Sequence, residues 1–128
     1  MRVLLDTHIL LWALGQPEKL PRVARAMLEA GSDEFFFSAA SIWEVAIKAQ
    51  ARRIDFQVSP LEILIAARNS GLAEMPMRAD HAARVHQLRL HHKDPFDRIL
   101  VAQAIGEPVR LLTVDTVLAR YSELVQVV

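Results

Sequence analysis

The stretch His91–Val117, HHKDPFDRILVAQAIGEPVRLLTVDTV, holds a complete helix–loop–strand unit with carboxylates at both ends. Asp94-Pro95 reads as a helix start, Asp94 serving as N-cap and Pro95 suiting the first helical position. The helix that follows is apolar nearly all round (Phe96, Ile99, Leu100, Val101, Ala102, Ala104, Ile105) and is therefore expected to be mostly buried. Asp97 shares a face with Leu100, Val101 and Ala104. At the third helical position it complements the helix dipole, but a carboxylate pointing inward also needs a partner. After the short Gly106–Val109 connection, Val109 to Val114 reads as a strand that stops at Asp115.

Outward from this unit the chain alternates strand and helix. Arg2 to Leu5 is a strand that ends at Asp6, followed by a short helix around Thr7 to Leu14. Further helices are expected over Pro21 to Ala30, Ala40 to Arg53, Pro60 to Ser70 and Ala79 to Leu90. Further strands are expected at Phe35 to Phe37, Leu72 to Met75 and Leu124 to Val128, with a short helix at Thr116 to Tyr121. Short connections and buried strands predict an α/β fold, a parallel sheet of four to five strands between helices on both faces. In such a sheet the carboxyl ends of strands and the amino ends of helices share the edge where ligands bind.

Four acidic residues are predicted to reach that edge: Asp6 and Asp115 at strand ends, Glu44 and Asp97 early in helices. Each has a local alternative. A strand-end Asp can cap the next helix, and Ser41-Ile-Trp-Glu44 has capping-box spacing, with Lys48 an i,i+4 partner for Glu44. Together the four would repel by roughly 4 kcal/mol per pair at 4 Å and an effective dielectric of 20. A hard divalent cation such as Mg²⁺ or Mn²⁺ relieves that repulsion, so the set reads as a metal site. Thr113 points to the same side of its strand as Asp115 and could orient a carboxylate. Trp43 is expected in the core, and His8 and His81 as structural or rim residues. His91-His92-Lys93 reads as a solvated loop, with phosphate contact at the pocket rim as the alternative.

At 128 residues and 52% hydrophobic the chain suits one domain, residues 1–128. No apolar run approaches the ~20 residues of a membrane span, and MRVLLDTH lacks a signal-peptide layout, so a soluble cytoplasmic protein is expected. The absence of cysteine excludes disulfides and thiolate zinc sites. Net charge is zero, but setting the four site carboxylates aside leaves 11 acidic residues against 15 Lys and Arg. Phosphate-backbone binding is thereby permitted rather than demanded. Apolar helix faces carrying Ile63, Leu64, Ala66 and Ala67 suggest a homodimer.

The ordered set Asp6-Thr-His8 with Leu11-Trp12, Ser38-Ala-Ala-Ser41-Ile-Trp-Glu44-Val-Ala-Ile-Lys48, His92-Lys-Asp-Pro-Phe-Asp97-Arg98 with Ala102-Gln-Ala104, and Leu112-Thr-Val-Asp115 resembles PIN-domain ribonucleases of the VapC toxin type. The resemblance spans the full chain. It implies a PIN-like three-layer fold, Mg²⁺- or Mn²⁺-dependent RNA hydrolysis, and a cognate antitoxin protein. It also implies an acidic quartet at Asp6, Glu44, Asp97 and Asp115, with an accessory hydroxyl at Thr113 or Ser38. Leu118, where many relatives carry Phe, departs from the pattern without touching the quartet. A PIN-like interaction protein without turnover is the alternative, and the intact quartet argues against it. A haloacid-dehalogenase-type phosphatase would need a second Asp two residues after Asp6, where this chain has His8.

Overall fold

The computed structural model describes residues 1–128, the side chain of Asp55 excepted. Five strands, β1 (Arg2–Leu5), β2 (Glu34–Ser38), β3 (Ala73–Met75), β4 (Arg110–Thr113) and β5 (Val125–Val127), form one sheet in the order β3-β2-β1-β4-β5. Every pairing is parallel, as predicted. The helices are α1 (Thr7–Gly15), α2 (Arg22–Ala30), α3 (Ala39–Gln50), α4 (Pro60–Asn69), α5 (Ala79–Arg84) and α6 (Pro95–Gly106). No helix among the described residues is long and apolar enough to cross a membrane.

Period-two alternation divides the strand residues between two cores. Leu4 and Leu111 pack with the buried face of α6 (Ile99, Leu100, Val101, Ala104) on one side of the sheet. Val3, Leu5, Phe35, Phe37 and Leu112 pack with Ile9, Leu10, Ala24 and Ala67 of α1, α2 and α4 on the other. The result is three layers, a sheet between helices. Because the chain runs from β1 outward through β2 and β3, then returns to β4 and β5 on the other flank, its direction reverses between β1 and β4. That reversal opens a crevice beyond the carboxyl ends of these two strands.

Local sequence sets the helix starts on this edge. Asp6 caps α1 by accepting from Ile9 N at 2.8 Å, and Asp94 caps α6 by accepting from Phe96 N at 2.9 Å. Ser38 caps α3 through Ala40 N at 2.9 Å. The capping-box alternative at Ser41 thereby falls away: that residue lies inside the helix and Glu44 sits well past its first turn. The helix expected over Ala79 to Leu90 is also shorter. After Arg84 the chain tightens into a 3-10 turn (Val85–Gln87) and then extends. The carbonyls of Val85 and Arg89 turn instead to the guanidinium of Arg98, at 3.1 and 2.9 Å. The Thr116–Arg120 segment is likewise a 3-10 turn.

Two packing expectations fail. Trp43 is not a core residue: it is 52% exposed and packs edge-on against Phe96 at 4.9 Å. On α4, Ile63, Leu64 and Ala67 face the core, and the outward apolar residues are Leu61 and Ile65, 63% and 51% exposed. The helical period explains this, since 61 and 65 lie one turn apart on the face opposite the sheet.

Candidate active site

The crevice between β1 and β4 gathers the predicted carboxylates. Asp6 leaves the end of β1, where Leu5 is held in register with Leu112 and Asp6 N donates to Leu112 O at 3.0 Å. Its carboxylate is buried and held at both oxygens, Oδ1 by Ile9 N and Oδ2 by the Thr113 hydroxyl at 2.5 Å. Of the two candidate hydroxyls, Thr113 is the one that reaches Asp6. Ser38, the other candidate, donates to Gln103 at 2.6 Å and caps α3. Asp115, two residues past Thr113, accepts from Val117 N at Oδ1 (3.0 Å) and faces His92 Nε2 at Oδ2 (2.8 Å).

Glu44 is almost wholly buried, and both of its oxygens are also engaged. The Thr7 hydroxyl donates to Oε1 at 2.6 Å, with Ser41 Oγ beside it at 2.9 Å from Thr7. Lys48 Nζ lies 2.5 Å from Oε2 and bridges to Asp94 Oδ2 at 3.3 Å. The ammonium also sits over the rings of Phe56 and Phe96. Burial pulls Lys48 down, but the hydrogen bond and charge of Glu44, joined by Asp94, outweigh it and hold the ammonium above its ordinary range. Lys48 is thus a fixed cation at one side of the acids.

Asp97 differs from the other three. Its nearest donor is His92 Nε2 at 3.4 Å from Oδ2. Burial, then the charges of Asp94, Glu44 and Asp6, push its carboxyl up to about 7, with His92 pulling the other way. Burial also raises Asp6, against its hydrogen bonds to Thr113 and Ile9. Five carboxylates therefore share a crevice with Lys48 and His92, and at Asp97 burial and the acidic neighbours outweigh the histidine. All-oxygen donors in excess of the protein's own cations suit a hard divalent ion. Ligand atoms of His92, Asp97 and Asp115 lie within 4.8 Å of one another.

The structure thus brings Asp6, Glu44, Asp97 and Asp115 together as the sequence predicts. It adds Thr7, Lys48, Asp94 and His92, which sequence reading treated as structural or as loop. The solvated-loop reading fails for His92, whose backbone N–H is held by the Tyr121 hydroxyl at 2.9 Å so that its ring enters the site. Lys93 is exposed. His81 is buried and structural, its ring 2.5 Å from Glu107 Oε2. His8 packs against Trp12 and Phe56. The i,i+4 spacing of Glu44 and Lys48 was the one sequence signal for the lysine.

Residues 3–124 match the family model described as PIN domain. The chain belongs to the PIN domain family. Among curated proteins, this PIN domain is 32% identical over 115 residues to "Ribonuclease VapC22" of Mycobacterium tuberculosis, covering 88% of this chain and 86% of that one. Solved structures share the fold at lower identity. A crystal structure of VapBC2 from Rickettsia felis bound to a promoter DNA fragment superposes with a TM-score of 0.72 at 19% identity, covering 100% of this chain and 99% of that one. A toxin–antitoxin complex from Klebsiella pneumoniae gives 0.62 at 24% identity, covering 97% and 95%.

Proposed function

We propose that this PIN domain is a metal-dependent ribonuclease that hydrolyses RNA phosphodiester bonds, the toxin of a type II toxin–antitoxin pair acting in the cytoplasm. The observation that carries this reading is Asp97: a carboxyl pushed up to about 7 by burial and by its acidic neighbours, at the topological switch point of the sheet. A site purely for capping or scaffolding has no reason to concentrate charge there.

Asp6, Asp97 and Asp115 are the residues that would hold Mg²⁺ or Mn²⁺, with the buried Glu44 acting directly or through water. When bound, such an ion lowers the pKa of a water and stabilises charge on the transferring phosphoryl oxygens. The chain's own groups prepare the site. Thr113 and Ile9 N fix the Asp6 carboxylate in one orientation. Thr7 fixes Glu44, which holds Lys48 beside the acids, where the negative phosphodiester must approach. Asp97, its carboxyl raised to about 7 by burial and its acidic neighbours, would give up its proton to solvent where a cation is held.

The partner reading rests on exposed apolar surface. A groove of about 600 Å³, lined by His8, Leu11, Trp12, Ile54, Val58 and Ile63 among others, begins two residues past Asp6. Ile54 at its rim is 87% exposed. An antitoxin's amphipathic segment fits such a groove, and the outward Leu61 and Ile65 suit a homodimer. The test is cleavage of a fluorescent RNA with Mn²⁺ and with a chelator. Wild-type protein should cut only with the ion, and a protein that binds Mn²⁺ yet never cuts any RNA offered would favour the interaction-protein alternative.

A further inference from the structure

His92 brings an imidazole among the acids, and its geometry with Asp97 and Asp115 invites a place among the metal ligands. The hydrogen bonds say otherwise. Asp94 N donates to His92 Nδ1 at 3.0 Å. A backbone amide always carries its proton, so Nδ1 must be the acceptor. In neutral imidazole the other nitrogen is then protonated, because the bond made by one ring nitrogen sets the state of the other. Nε2 therefore presents N–H to Asp115 Oδ2, and a protonated nitrogen has no lone pair for an ion.

The ring is placed from behind. Arg98, buried, spans the carbonyls of Val85 and Arg89 and reaches the Tyr121 hydroxyl at 3.1 Å. That hydroxyl also receives the backbone N–H groups of His91 at 3.1 Å and His92 at 2.9 Å. The His91 ring packs edge-on against Tyr121 at 5.1 Å. Residues 89–92 are thereby tied to α6 and to the segment after β4, the two elements that carry Asp97 and Asp115.

We propose that His92 is a positioning residue, held by Tyr121 and Arg98 with its proton on Nε2, which orients Asp115 for the cation without itself ligating it. The inference rests on the nuclease reading above. It completes a regular pattern: Asp6 is held by Ile9 N and Thr113, Glu44 by Thr7 and Lys48, and Asp115 by Val117 N and His92. Donors that orient a ligand commonly change metal affinity 10- to 100-fold when removed.

Three measurements test it. Ring ¹⁵N NMR of the metal-free protein should show His92 protonated at Nε2 and bare at Nδ1. Calorimetric Mn²⁺ titration should show affinity falling at least about tenfold in His92→Ala. In His92→Gln, whose amide reaches the Nε2 position, affinity should stay within about threefold of wild type, with Tyr121→Phe between the two. Electron spin-echo spectra of the Mn²⁺-loaded protein should lack directly coordinated ¹⁴N. An Nδ1–H tautomer, an unchanged affinity in His92→Ala, no rescue by Gln, or a ¹⁴N coupling lost in His92→Ala each overturns the proposal. Any of these in a protein that still binds Mn²⁺ and cuts RNA defeats this inference alone. Wild-type protein that neither binds nor cuts defeats the nuclease reading, and this inference with it.

Discussion

Replacing Asp97 by Asn exchanges a carboxylate for an amide of the same size at the third residue of α6, within the most charged part of the crevice. The folded carboxyl lies near 7 against an ordinary 3.8, raised by burial and then by Asp94, Glu44 and Asp6. A folded-state pKa above the unfolded one means that the native protein holds the proton more tightly. Stability from this group is thus complete below about pH 4 and is lost as pH rises towards about 7. Three units correspond to roughly 4 kcal/mol lost by pH 8 in the metal-free wild type. Asn escapes that loss but forgoes a dipole interaction of about 0.3–1 kcal/mol. Metal-stripped Asp97→Asn should therefore be more stable than wild type by about 3 kcal/mol at pH 8, a melting shift on the order of 10 °C. At pH 4.5 the gain should shrink below about 1 kcal/mol. Mn²⁺ should reverse the order at pH 8, because binding stabilises only the protein with the intact site. The assay is a thermal melt of both proteins at two pH values, with and without Mn²⁺, alongside RNA cleavage. A variant that melts below wild type at pH 8 without metal, and still cuts RNA, would reduce Asp97 to a helix-cap residue and remove the central carboxylate from the mechanism.

Mn²⁺ binding near pH 6.5 should release protons, approaching one per site as Asp97 ionises, and the release should fade above pH 8; titration calorimetry in buffers of different ionisation heat reads this directly. Thr113→Val removes the hydroxyl on Asp6 Oδ2, and should lower cleavage and Mn²⁺ affinity by about 10- to 100-fold, with the fold retained by circular dichroism. Lys48→Met leaves Glu44 and Asp94 without their shared cation and should depress turnover at saturating Mn²⁺; unchanged kcat would make Lys48 a purely structural counterion. Arg98→Met leaves the part-buried carbonyls of Val85 and Arg89 without their guanidinium donor, and should cost about 1–3 kcal/mol in a denaturant titration.

What could be read in the amino-acid order was whatever depends on neighbours along the chain. Apolar runs ending at Asp6 and Asp115, the Asp94-Pro95 helix start, and an all-apolar α6 carry strand, cap and burial signals within a few residues. Placing strand ends and helix starts on one edge of a parallel sheet then follows from chain direction, which is why the four carboxylates could be expected together. The helix lengths near Arg98 were not legible, because a buried guanidinium drawn from α6 claims carbonyls that α5 would otherwise have used. Trp43 illustrates the same limit: hydrophobicity favoured the core, while the phase of α3 against the sheet left it half-exposed beside Phe96. The partners of the carboxylates were decided by the tertiary structure alone. Thr7 meets Glu44, Thr113 meets Asp6, and His92 meets Asp115 across separations of 37, 107 and 23 residues. Contacts of that range leave no periodic trace in a sequence, since hydrogen-bond geometry is fixed by how β1, β4, α3 and α6 pack and not by what lies beside each residue in the chain.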